Sequence, residues 1–206
     1  MALPTNRIPT LINQLTDMNK TQISESTKRI LITMLILCVA GFISASAATP
    51  PKKGDPAPNF TLKTLDDKIV ELKELTAKSR VVLVVLRGWP GYQCPVCERQ
   101  VQDLIRHASQ LKEGGVQMLF VYPGPDAQLK AHAREFLQNK DWPSDFLFVT
   151  DPDYTFTVSY GLRWNAPNET AYPSTFIIDR DAKVEFAQVS KEHGGRVDSE
   201  ELLKHL

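Results

Sequence analysis

The chain has 206 residues, with 24 lysines and arginines against 24 aspartates and glutamates. This balance, with no basic run carrying interleaved aromatics, points away from nucleic-acid binding. Only three cysteines are present, which is too few for the disulfide framework of a small extracellular scaffold.

The first 50 residues differ from the rest. Lys28 and Arg29 precede an apolar stretch over residues 30–43, and Ser44-Ala45-Ser46-Ala47-Ala48 follows. A basic start, a short apolar middle and an Ala-x-Ala site form a secretory signal. The apolar stretch is shorter than the roughly 20 residues that span a bilayer. Residues 1–47 are therefore expected to act as a signal peptide, with Met18 as an alternative start and Cys38 inside its apolar part. The protein is expected to be exported to the periplasm or another extracytoplasmic space, and to touch the membrane only through this segment, which anchors it if uncleaved. What remains is about 160 residues, a size suited to one core, with Cys94 and Cys97 as its only thiols.

Residues 48–58, rich in proline and lysine, read as a linker to a domain over 59–206. Residues 59–63 and 69–72 read as short strands around a turn at Asp66-Asp67. Residues 81–86, Val-Val-Leu-Val-Val-Leu, are apolar without alternation, as in a strand buried on both faces. Arg87-Gly88-Trp89-Pro90-Gly91-Tyr92-Gln93 forms a loop, and Cys94-Pro95-Val96-Cys97 opens a helix. Val101, Leu104, Ile105, Ala108 and Leu111 give that helix one apolar face, and Gly114-Gly115 ends it. A strand over 116–122 follows, then a loop at 123–126. Leu129, Ala133, Phe136 and Leu137 mark the next helix. Residues 146–149 form a short strand, and 154–160 a short helix stopped by Gly161. Residues 175–179 and 184–189 form a hairpin. Asp198 caps a final helix, with Glu201 three residues on. The alternation predicts an α/β fold with a central mixed β-sheet flanked by helices.

Two thiols at a helix N-terminus meet unpaired N–H groups and the positive end of the helix dipole, which favour thiolate over thiol. A thiolate is the nucleophile of disulfide exchange and of peroxide reduction. A structural zinc would need four ligands, and His107, His132, His193 and His205 offer no closely spaced pair, so no metal is expected. Two inert buried cysteines are the other alternative; Pro95 and the strand upstream argue instead for an exposed turn. Trp89 and Tyr92 flank the thiols as groove-lining residues or loop anchors. Glu98 stands beside Cys97 as a proton carrier or a helix-dipole partner. His193-Gly194-Gly195-Arg196 reads first as a turn, with a loose likeness to an anion-binding loop.

From about Gly54 to Val189 the chain resembles the redoxin branch of the thioredoxin superfamily, which includes the alkyl-hydroperoxide-reductase/thiol-specific-antioxidant peroxiredoxins and exported thioredoxin-like reductases. The resemblance rests on Gly54-Asp55-Pro56-Ala57-Pro58-Asn59-Phe60, the strand before the thiols, and Pro173-Ser174-Thr175-Phe176-Ile177-Ile178-Asp179. It implies a thioredoxin-like fold. Pro90 and Cys97 keep the spacing of the peroxiredoxin Pro-x-x-x-Thr-x-x-Cys motif, with Cys94 in place of Thr. By that likeness Cys97 attacks a hydroperoxide and becomes a sulfenic acid, and Cys94 resolves it to a disulfide. Where peroxiredoxins place an arginine, three residues before the phenylalanine of the next strand, this chain has Pro173. Arg87 and Arg163 are candidate replacements for that cation. Tyr172-Pro173 instead resembles the cis-proline loop of thioredoxins, and by that likeness Cys94 attacks a protein disulfide and Cys97 resolves. The implied protein is an antioxidant peroxidase, or alternatively a thiol–disulfide reductase. It works without a bound cofactor, on a hydroperoxide or protein-disulfide substrate, with a thioredoxin-like electron donor.

Overall fold

A computed structural model describes residues 48–125 and 127–206. The proposed signal segment, with Cys38, lies outside the described residues. Seven strands form one sheet: β1 (Thr61–Thr64), β2 (Ile69–Glu71), β3 (Arg80–Val85), β4 (Val116–Gly124), β5 (Leu147–Pro152), β6 (Ser174–Ile178) and β7 (Val184–Val189). Their order across the sheet is β2-β1-β5-β4-β3-β6-β7. Strands β3, β4 and β5 run parallel, while β1 and β6 join this trio antiparallel on either side. The helices are α1 (Leu72–Thr76), α2 (Pro95–Arg106), α3 (Ala108–Glu113), α4 (Leu129–Leu137), α5 (Thr155–Ser159) and α6 (Ser199–Leu203). This is the α/β thioredoxin-like fold, with a mixed sheet flanked by helices.

The unbroken apolar run 81–86 has its cause in β3. Val82, Val84 and Leu86 face a core shared with Val101, Leu104, Phe120, Phe136 and both thiols. Val81, Leu83 and Val85 face a second core with Leu72, Phe156, Tyr160 and Phe176. A strand in mid-sheet must be apolar on both sides.

Several local expectations are revised. The helix after the thiols is broken at His107, whose φ of −104° and ψ of 16° leave the helical region. His107 Nδ1 lies 2.9 Å from both the Asp103 carbonyl and Ser199 Oγ, tying the break to the start of α6. Strand β4 continues through Pro123 and Gly124, which pair with Asp151 and Pro152 of β5. The stretch read as a linker is docked: Gly54 and Ala57 donate to Val184 and Ala182, and the Asp55 carbonyl accepts from Val184. Asp198 caps α6 by accepting from the Glu201 N–H, as its spacing from Glu201 suggested.

Candidate active site

The site lies where β3 ends. Leu86 still donates to the Val121 carbonyl, and three residues later Trp89 donates to the Pro123 carbonyl at 2.9 Å. Gly88 between them has φ of +67°, and a Cβ there would stand 1.9 Å from the Pro123 oxygen. Only glycine lets the loop pass this close to β4. The loop is then pinned to α4. Trp89 stacks on His132 at 3.5 Å between ring centroids. Gln93 donates to the His132 carbonyl and accepts from the Tyr122 hydroxyl. Trp89 is thus a loop anchor, whereas Tyr92 is 47% exposed and accepts a 2.6 Å bond from Arg87 Nη1.

Cys94 is the N-cap of α2, with Pro95 at its first turn, and its sulfur accepts the Cys97 N–H at 3.3 Å. Arg196 Nη2 lies 3.7 Å from the same sulfur. The Cys97 thiol donates to Cys94, and this bond, the Cys97 N–H and the Arg196 charge outweigh burial and lower the Cys94 thiol to about 5. Cys97 has the opposite balance. Burial pushes its thiol well up, and its bond to Cys94 holds the proton in place. Its sulfur accepts one backbone bond, from the Arg87 N–H at 3.4 Å. No disulfide joins the two sulfurs in this structure.

The exposed turn expected around the thiols is not formed: Cys94 is 2% exposed and Cys97 1%. The reason is a contact across 102 residues, in which the loop before α6 carries Arg196 onto Cys94. Arg196 is held there by its bonds to the Gln100 side chain and the His193 carbonyl. The His193-Gly194-Gly195-Arg196 segment, which in sequence reads first as a turn, thus carries the one side-chain cation in contact with Cys94 among the described residues.

Neither candidate replacement cation reaches a sulfur through its guanidinium. Arg87 is buried in an ion pair with Glu169 at 2.6 Å, with side-chain exposures of 3% and 9%. It also donates to the Asn168 carbonyl, while its own carbonyl accepts from Thr170 Oγ1. Glu169 Oε1 is in turn 2.8 Å from His193 Nε2. Burial opposes ionisation of Glu169, but the bonds from Arg87 and His193 prevail and hold its carboxyl below the ordinary value. Arg163 donates to the carbonyls of Trp164, Glu169 and Thr170 and covers the Tyr154 ring. Glu98 pairs with Lys140 at 3.1 Å, which fits a structural role.

The Tyr172-Pro173 peptide is trans, since no cis bond occurs among the described residues. This corrects the cis-proline expectation. The trans form is the intrinsically favoured isomer, and its neighbours are paired as it stands: Tyr172 donates to the Leu162 carbonyl, and the Pro173 carbonyl accepts from Ser190. Pro173 lines a crevice with Gln100 and Arg196, while Tyr172 stacks on Trp164. The structure thus gathers Cys94, Cys97, Arg87 and Tyr92 around the β3 end, and puts Pro173 beside the arginine that reaches Cys94.

A CxxC pair on a thioredoxin-like scaffold, with one sulfur stabilised as a thiolate and the other as a thiol, defines a thiol-dependent oxidoreductase. The Redoxin family description matches residues 52–206. The chain belongs to the Redoxin family. Its relatives divide between two activities. The thiol-disulfide oxidoreductase ResA of Bacillus subtilis (strain 168) is 26% identical over 157 residues, covering 74% of this chain and 78% of ResA. The peroxiredoxin Bcp of Escherichia coli (strain K12) is 26% identical over 142 residues, covering 66% of this chain and 84% of Bcp. Among solved structures, reduced Prx3 from Vibrio vulnificus in complex with H2O2 matches with a TM-score of 0.60 and 26% identity, covering 74% of this chain and 96% of Prx3.

Proposed function

We propose that the protein is a thiol–disulfide oxidoreductase in which Cys94 attacks and Cys97 resolves. The observation that carries this is the asymmetry of the pair. The Cys97 N–H and the Arg196 guanidinium are hydrogen-bonded to the Cys94 sulfur, whereas Cys97 accepts only the Arg87 N–H and its burial disfavours ionisation. The Cys94 thiolate attacks a substrate disulfide; a Cys94–substrate disulfide forms, the substrate S–S bond breaks, and one substrate thiolate leaves. That thiolate or water takes the Cys97 proton. Cys97 then attacks the Cys94 sulfur, forming the Cys94–Cys97 disulfide and releasing the second substrate thiolate. Two electrons pass to the substrate, and a thioredoxin-like dithiol donor restores the pair. This assignment does not lean on Pro173, whose peptide is trans.

The thiolate is covered at rest, so a substrate reaches it only after a neighbour moves. Arg196 is the neighbour carried by a loop rather than by a strand or helix. Surface loops are the least costly parts of a fold to displace. Export, supported by the pattern of residues 28–47, would place this chemistry in an oxidising compartment where disulfide substrates persist.

A second reading, peroxide reduction at Cys97, is favoured by the Pro90-to-Cys97 spacing and by the likeness to Bcp and Prx3. It requires ionisation of the sulfur for which burial is most adverse. Stopped-flow oxidation of the reduced full chain separates the two. The first reading expects fast reaction with a model disulfide and slow reaction with hydrogen peroxide and an organic hydroperoxide. The reverse order would replace it with the peroxidase.

A further inference from the structure

We propose that Glu169 is a positioning residue for the reactive thiolate: through His193 it holds the loop that lays Arg196 on Cys94. This rests on Cys94 being the attacking sulfur, as proposed above. Glu169 Oε1 lies 2.8 Å from His193 Nε2. The His193 carbonyl accepts from Arg196 Nε at 3.1 Å, and Arg196 Nη2 reaches the Cys94 sulfur at 3.7 Å. The other carboxylate oxygen, Oε2, accepts from Arg87 Nε at 2.6 Å, and the N–H of the same Arg87 reaches the Cys97 sulfur at 3.4 Å. One carboxylate thus fastens a residue in contact with each sulfur.

The Cys94 branch is the one that needs fastening. Arg196 stands in the connection between β7 and α6, which has no helix or strand of its own. Gly194 and Gly195 separate it from His193, and Gly195 adopts φ of +63°. Two glycines leave the backbone many conformations, so a fixed Arg196 depends on contacts to either side of them. On one side the Gln100 side chain of α2 accepts from Arg196 and donates to the Val197 carbonyl. On the other, His193 is held by Glu169 and packs on Trp164 with ring centroids 5.2 Å apart. His193 is half-exposed, whereas the Arg87–Glu169 pair beneath it is almost fully buried. Burying a carboxylate carries a desolvation cost that its partners must offset, and here both partners lead to a sulfur. Without Glu169 the His193 ring loses this anchor, the glycine pair relaxes, and Arg196 is no longer kept on the thiolate.

Alkylation of the reduced full chain by iodoacetamide across pH tests this, with peptide mass spectrometry reporting Cys94 apart from Cys97 and Cys38. The Cys94 midpoint should rise by about one pH unit in Glu169→Ala, the low end of the effect of a cation within reach of a titrating group. The sign is decisive: deleting a negative charge that acted only through space would favour the thiolate and lower the midpoint. His193→Ala leaves the buried Arg87–Glu169 pair in place; it should raise the midpoint likewise, and it carries the test if Glu169→Ala does not fold. In an Arg196→Met background neither substitution should raise the midpoint further, because the residue they position is gone. A midpoint unmoved or lowered by these substitutions, or raised equally with and without Arg196, overturns the positioning role and leaves Cys94 as the attacking sulfur. Wild-type alkylation that begins at Cys97, or a wild-type Cys94 midpoint at the ordinary thiol value of about 8.5, overturns the reading on which the proposal rests.

Discussion

At the scale of single residues, two identical side chains three positions apart are made chemically different by what surrounds them. Both sit in the first turn of α2, so the helix dipole acts on both and does not separate them. The separation comes from direction: the Cys97 N–H and S–H and the Arg196 guanidinium all converge on Cys94. Cys97 accepts a hydrogen bond only from the Arg87 N–H, and neither this nor the Arg196 charge, which acts on it too, offsets its deep burial. A thiol lowered to about 5 is ionised at neutral pH and is lost as thiolate only as the pH falls through that value. Titration of the ultraviolet thiolate absorbance should therefore show one thiolate persisting into mildly acidic solution. Removing a group that stabilises the anion raises the transition. Cys97→Ala should raise it most, since the Cys97 thiol is the largest contributor, and Arg196→Met by less. A wild-type transition at the ordinary thiol value of about 8.5 would contradict the asymmetry.

At the scale of elements, the site depends on how closely the 87–93 loop follows β4. Gly88 is the point of closest approach, and Gly88→Ala places a side chain against the Pro123 carbonyl in a left-handed conformation. The conformation alone costs about 1–3 kcal/mol, and the clash adds to it. Urea unfolding should show a lower midpoint with an unchanged slope; an unchanged midpoint would mean that the loop does not need this path. Much of this element was legible beforehand. The run from Val81 to Leu86 announces a doubly buried strand because it is short, rich in β-branched valine and apolar without alternation. The Val101, Leu104 and Leu111 spacing gives the apolar face shared by α2 and α3, and Asp198 with Glu201 marks the start of α6. The break at His107 was not legible, because Ala108 and Leu111 continue the helical period and the cause, a bond to Ser199, lies 92 residues away. The same holds for the site. Cys94 and Cys97 declare themselves by spacing, whereas Arg196 arrives through tertiary packing. Glu169 occupies Arg87 and a set of carbonyls occupies Arg163, partners that the local sequence of neither arginine reveals. The trans peptide at Tyr172-Pro173 is set by pairing to Leu162 and Ser190, which the local sequence does not reveal.

At the scale of the whole molecule, three loops from distant parts of the chain meet at the end of β3. Arg87 ties the thiol loop to Glu169, Glu169 ties to His193, and His193 stands three residues before Arg196. The reactive sulfur is thus covered by a loop linked through two polar contacts to the loop that precedes it. Compartment is a separate matter. If residues 28–47 direct export, a fusion of residues 18–60 to a reporter active only outside the cytoplasm should be processed and active; an unprocessed cytoplasmic reporter would remove that proposal. The central claim is that Cys94 attacks and Cys97 resolves. The most direct measurement is peptide mass spectrometry of single-cysteine variants of the full chain after brief exposure to a model disulfide. Cys97→Ser should accumulate a stable mixed disulfide on Cys94, and Cys94→Ser should remain unmodified. An adduct that forms rapidly on Cys97 in Cys94→Ser, with Cys94 inert in Cys97→Ser, would contradict the account.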